Sequence, residues 1–235
     1  MDEGQHNHLK AYGRVYKVIA DDTEVNWLLN YQGGSFLFSY KKAYEDSLKT
    51  RDVSYKILSD TEAERILKSV ADPDSETDVV KLETVPKIAV YSPKSKMPWD
   101  DAVTLVLTYA EIPYNTIFDD EVLSEDLPKY DWLHLHHEDF TGQYGKFYAA
   151  AANEPWYRQQ KREYEALAKK HGFKKVSQLK LAVAKKIRDF CAGEGFSLPC
   201  VLLRIRMILL WPQKGQISAN TCTTATRPTM MPKRN

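Results

Sequence analysis

The polar residues with the most chemical potential lie together in "HLHHEDFTG", residues 134–142. On a strand, side chains alternate, so His134 and His136 share one face and Leu133 and Leu135 the other. His137, Glu138 and Asp139 then fall at or beyond the strand's carboxyl end, where open parallel sheets bind ligands. Two imidazoles at i, i+2 with carboxylates beside them could chelate a metal. A His and a Glu could equally work as base and acid. The plainer reading is histidines hydrogen-bonded inside a sheet, with Glu138 and Asp139 capping a loop.

Three further groups invite the same question. "NYQGGSF" places Asn30, Gly33, Gly34 and Ser35 after an apolar run, where backbone N–H groups could meet an anion. The pair of glycines lacks a nucleotide-loop spacing, so an ordinary turn is the simpler expectation. Asp100 and Asp101 in "PWDDA" suit a helix start, where carboxylates complement the dipole. Lys180, Lys185, Lys186 and Arg188 are expected on the solvated outer face of the last helix. No GxSxG elbow, HExxH pair or P-loop is present in the sequence.

The elements that must position these groups follow from periodicity. Residues 8–20 read as a helix, 25–31 as a strand, 41–50 as a helix, and "VSYKILS" (53–59) alternates like a strand. "DTEAERILKSVA" (60–71) reads as a helix capped by Asp60 or Thr61, and "DPDSETD" as a loop. "KIAVYS" (87–92) is a buried strand. With the helix after Pro98 and the strand after Pro113 it makes a βαβ unit, whose strands must be parallel neighbours in a covered sheet. "YDWLHLHH" adds a strand and 154–172 a polar helix stopped by Gly172. In 176–190, Val176, Leu179, Val183, Ile187 and Phe190 form an apolar stripe. One more strand is expected after "AGEG". The rhythm predicts one three-layer α/β domain over residues 1–196 with a largely parallel, flavodoxin-like sheet.

Charge narrows the function classes. Of 33 Lys+Arg and 32 Asp+Glu, residues 197–235 hold six basic and no acidic side chains, which leaves 27 against 32 in residues 1–196, a balance of −5. An acidic body of this kind argues against nucleic acid as partner. The apolar run "VLLRIRMILLW" has eleven residues and two arginines, too short and too charged to span a membrane. Three cysteines without CxxC spacing indicate neither a disulfide framework nor a thiolate zinc site.

The strings "HLKAYG", "WLLNYQGGSF", "PKIAVYSPK", "PWDDAVTLVLTYAEIPY", "YDWLHLHHEDFTGQYGKFY" and "KLAVAKKIRDFCAGEGF" resemble a bacterial family labelled asparagine synthetase B. The resemblance covers essentially all of residues 1–196. It implies a class I glutamine amidotransferase-like α/β domain that binds a small polar ligand, on a full-length protein that is exported and begins with an earlier strand. The label's ATP-dependent amidation needs an N-terminal cysteine and a Ser-Gly-Gly-x-Asp-Ser loop. Here residue 2 is Asp2 and "QGGSF" lacks the Asp-Ser pair. Two other functions compete: a noncatalytic exported binding or scaffold module on the same fold, and a metal-dependent hydrolase centred on the histidines. The residues do not identify a cofactor, which stays unknown.

The resemblance also bears on "GFSLPCVLLRIRMILLWPQKGQ" (195–216). One set of codons encodes both this string and, after a one-nucleotide shift behind Phe196, a family-like strand and turn bearing a cysteine. Residues 197–235 are therefore expected to be a frameshifted, disordered tail, and Cys200 a product of that frame. Resequencing the gene across codons 195–198 decides the point.

Overall fold

A computed structural model describes residues 4–93, 102–135, 147–193 and 196–199. The fold is mixed α/β with two small sheets in place of the single sheet expected.

The first sheet is antiparallel. Strands β1 (Val25–Leu29), β2 (Ser35–Phe38) and β3 (Asp78–Leu82) lie in the order β2-β1-β3. Helix α1 (His8–Ala20) buries Val15, Val18 and Ile19 with Val25, and Phe36, Phe38 and Tyr44 of α2 (Lys42–Thr50) close the cluster. Helix α3 (Asp60–Val70) packs on β1 and β3. Its N-cap is Ser59, one residue before the cap expected, because Ser59 and Glu62 form a reciprocal capping box.

"VSYKILS" is not a strand. Only Val53 of that segment is buried, and Ser54 bonds to Gln5 through both its N–H and its carbonyl, so the backbone is satisfied locally. Conversely β3 begins at Asp78 inside the expected loop, since pairing with β1 overrides the poor strand propensity of its first residue.

The second sheet is parallel and carries the region of interest. Strands β4 (Ile88–Tyr91), β5 (Asn115–Ile117), β6 (Trp132–Leu135) and β7 (Phe196–Pro199) lie in the order β5-β4-β6-β7. The predicted βαβ unit is present: α4 (Ala102–Ala110) links β4 to β5, which pair in parallel. Ile88 and Val90 pack with Leu107 on one face. Ala89, Tyr91, Leu133 and Leu135 meet Leu179, Val183 and Ile187 of α8 (Val176–Ala192) on the other. That second face also holds α5 (Asp119–Leu123) and α7 (Pro155–Lys170), with the short α6 (Tyr148–Ala151) before it. The strand expected after "AGEG" is β7, which runs three residues past Phe196 into the tail and pairs with β6. Proline at position 199 fits an edge strand, where a missing N–H costs no ladder bond.

The sheets meet where α1 crosses α4. A Cβ on Gly13 would lie 1.6 Å from the Ala110 carbonyl oxygen, so only glycine permits this approach. The next residue, Glu111, has φ +61 and ends α4 in the left-handed region. Its carboxylate accepts from Lys10 Nζ at 2.9 Å, Arg14 at 2.5 Å, Lys17 at 3.3 Å and Arg51 at 3.0 Å. Led by Arg51 and Lys10, these cations hold it well below the usual carboxylate range.

Candidate functional site at the carboxyl end of the parallel sheet

Tyr91 is the last residue of β4, and its phenol points into the face that α8 covers. There it donates a short hydrogen bond to Asp119 Oδ1 at the start of α5. Lys180 of α8 approaches the same carboxylate from the other side, with Nζ 2.6 Å from Oδ2 and 3.4 Å from the Tyr91 oxygen. Asp119 is 0% exposed and Lys180 4%. The ammonium is boxed further by aromatic faces, 4.3 Å from the Phe118 centroid and 4.8 Å from that of Tyr164. Burial, then the Asp119 charge, raises the Tyr91 phenol well above its ordinary value, so it stays a neutral donor throughout the physiological range.

This corrects the expectation that Lys180 lies on a solvated face. The apolar stripe on α8 is wider than the i, i+3 positions, and Lys180 occupies the i+4 place between buried Val176 and Ala184. Lys185, Lys186 and Arg188 do face outward: Lys185 is exposed, Lys186 meets Glu125 at 2.9 Å, and Arg188 meets Asp189 at 2.6 Å.

Beside this knot of Tyr91, Asp119 and Lys180 is a cleft of about 230 Å³, lined by Pro93, Phe118, Asp120, Gln160, Glu163, Tyr164 and Leu167. It lies just past the carboxyl ends of β4 and β5, with α7 forming the opposite wall. Asp120 is held there by Lys170 at 2.7 Å and His171 at 2.8 Å, which lower its carboxyl pKa in that order of importance. None of these lining residues stood out in the sequence. Asp119 and Asp120 open α5, where acids complement the helix dipole, and the parallel pairing of β5 with β4 brings them to the end of β4.

The other predicted groups are dispersed. His134 sits in the middle of the sheet, 5% exposed, and pairs across strands with Val90. Leu133 and Leu135 occupy the opposite face, as the alternation requires. His136, His137, Glu138, Asp139, Asp100 and Asp101 lie outside the described residues, as does Cys200. Among the described residues no three His, Cys, Asp or Glu side chains gather as metal ligands. No described helix is long and apolar enough to cross a membrane.

The "QGGS" residues belong to the other sheet, in the tight turn joining β1 to β2. Asn30 (φ +58) gives its amide to the Glu76 carbonyl at 2.8 Å, and Ser35 Oγ donates to the Tyr31 carbonyl at 3.2 Å. The Gly34 N–H also bonds to Tyr31, at 3.0 Å. Gly33 (φ +71) and Gly34 (φ +86) are needed for the backbone path itself.

Comparison with family models, with curated proteins and with solved structures finds no match for this chain.

Proposed function

We propose that this chain is an amidotransferase-like α/β domain, akin to the bacterial family labelled asparagine synthetase B, that binds a small polar ligand without performing the labelled ATP-dependent amidation. The observation that carries this reading is the cleft at the carboxyl end of the parallel sheet. Numbered within that sheet, the strand order is 2-1-3-4, which opens the flavodoxin-type doubly wound arrangement. Folds of that kind bind ligands outside the carboxyl ends of the strands. At about 230 Å³ the cleft is smaller than the roughly 300–1,000 Å³ typical of drug-sized ligand sites, which suits a small molecule and not a nucleotide.

Among the described residues, the place of Cys191 gives no support to glutaminase-type chemistry. It lies eleven residues after Lys180 on α8, about 16 Å farther along the helix axis, and packs at the margin of the core. A nucleophilic thiol would have to stand at the strand ends, with a base beside it.

Thermal shift across small amides, amines, sugars and nucleotides tests the proposal. A saturable rise with at least one small polar compound and none with Mg–ATP is expected. A rise confined to Mg–ATP would overturn it. The metal-hydrolase alternative predicts instead that Zn²⁺ or Mn²⁺ raises the midpoint and that His136→Ala abolishes the rise.

A further inference from the structure

The cleft has a one-sided chemical lining, and this inference rests on reading it as the ligand site. Its oxygens come from Asp120, Glu163 and Gln160, its faces from Phe118 and Tyr164, and its apolar wall from Pro93 and Leu167. No basic side chain is among these lining residues. Gln160 Oε1 is buried and meets no donor among the described residues, so it gains a partner only when the side chain turns into the cleft. Asp120 stays ionised because Lys170 and His171 lower its pKa. The two rings demonstrate their own preference, since Lys180 already rests an ammonium against both of them.

We infer that the cleft takes a small organic cation, a primary ammonium on a short apolar or aromatic body. The ammonium supplies donors to Glu163 and, once its side chain turns inward, to Gln160, and the body lies along Phe118, Tyr164 and Leu167. A free amino acid fits less well, because its carboxylate would face Glu163, and among the described residues the cations nearest the cleft, Lys170 and His171, are already engaged by Asp120. Phosphorylated ligands meet the same obstacle twice over.

The test is calorimetric titration of the full chain with tyramine, N-acetyltyramine, glutamate and glutamine. Tyramine is expected to bind saturably, with N-acetyltyramine and glutamate at least tenfold weaker. Glu163→Gln is expected to weaken tyramine about fivefold, the loss of one exposed charge-assisted contact. Among the described residues Glu163 takes part in one hydrogen bond, accepting from Gln159 at the surface, so an unchanged unfolding midpoint in Glu163→Gln separates lost binding from lost fold. Equal binding of tyramine and N-acetyltyramine would overturn the ligand class. The binding-site reading would still stand if Leu167→Trp, which fills the cleft, abolished that binding. If glutamine binds and tyramine does not, the ligand class again falls alone. If no small molecule of either kind binds, both fall.

Discussion

Asp119 and Glu111 are both carboxylates that tie elements together, and they do so under opposite conditions. Asp119 is fully buried and is met by one cation and one phenol in a dry core. Glu111 is 31% exposed and is met by four cations at the seam between the sheets. Number of partners is therefore a poor guide to energetic consequence. In the core, any unpaired charge left by a substitution cannot recruit water, whereas at the seam the solvent and three remaining partners soften every loss.

The comparison breaks most visibly at Lys180. Lys180→Met should destabilise the protein by about 3–5 kcal/mol in urea unfolding, because it strands the Asp119 charge. Adding Asp119→Asn to that variant should recover a large part of the loss. A single-variant loss below about 1 kcal/mol, or no recovery in the double variant, would show that the knot is not dry.

Next in size is the seam itself. Gly13→Ala should cost about 3 kcal/mol, since the new methyl group meets the Ala110 carbonyl and α1 must move off α4. The same change at Gly172, where φ is +76 but nothing lies within 4 Å, should cost only about 1 kcal/mol. Equal losses at the two glycines would mean that backbone strain, and not the helix contact, decides.

Glu111→Gln should cost about 1 kcal/mol at pH 7, modest because the group is partly solvated. Its sharper signature is pH dependence. The folded-state pKa is depressed, so the contribution is fully present above the ordinary carboxyl value of about 4.5 and is lost as pH falls toward the lower folded value. The gap in stability between the parent and Glu111→Gln should close steadily below about pH 4.5. A gap that stays constant to pH 3 would remove the ionised carboxylate from the account. The smallest effect expected is at Lys185, five residues from Lys180 on the same helix but exposed, where Ala should change stability by less than about 0.5 kcal/mol.

Much of the scaffold was legible in the residues alone. Helix α1 and the strand over Ile88–Tyr91 came from periodicity, the βαβ unit from its prolines and spacing, and the end of α7 from Gly172. Local signals suffice for these because each element's burial pattern is written into its own period. The antiparallel sheet was not legible, because nothing near Asp78 announces that β3 pairs with a strand some fifty residues earlier. The cleft was hidden for the same reason: Pro93, Phe118, Asp120 and Gln160 are unremarkable in sequence and become neighbours only through the sheet order.

Propensity, capping and periodicity are local, and they specify the set of elements and the apolar faces these must bury. The fate of the polar residues depends on packing between distant parts of the chain. Lys180 becomes a core cation because Asp119 arrives opposite it, and Gly13 becomes irreplaceable because the end of α4 passes beneath it. A charge or a glycine acquires its meaning from a neighbour distant in the chain, and no local period encodes that neighbour.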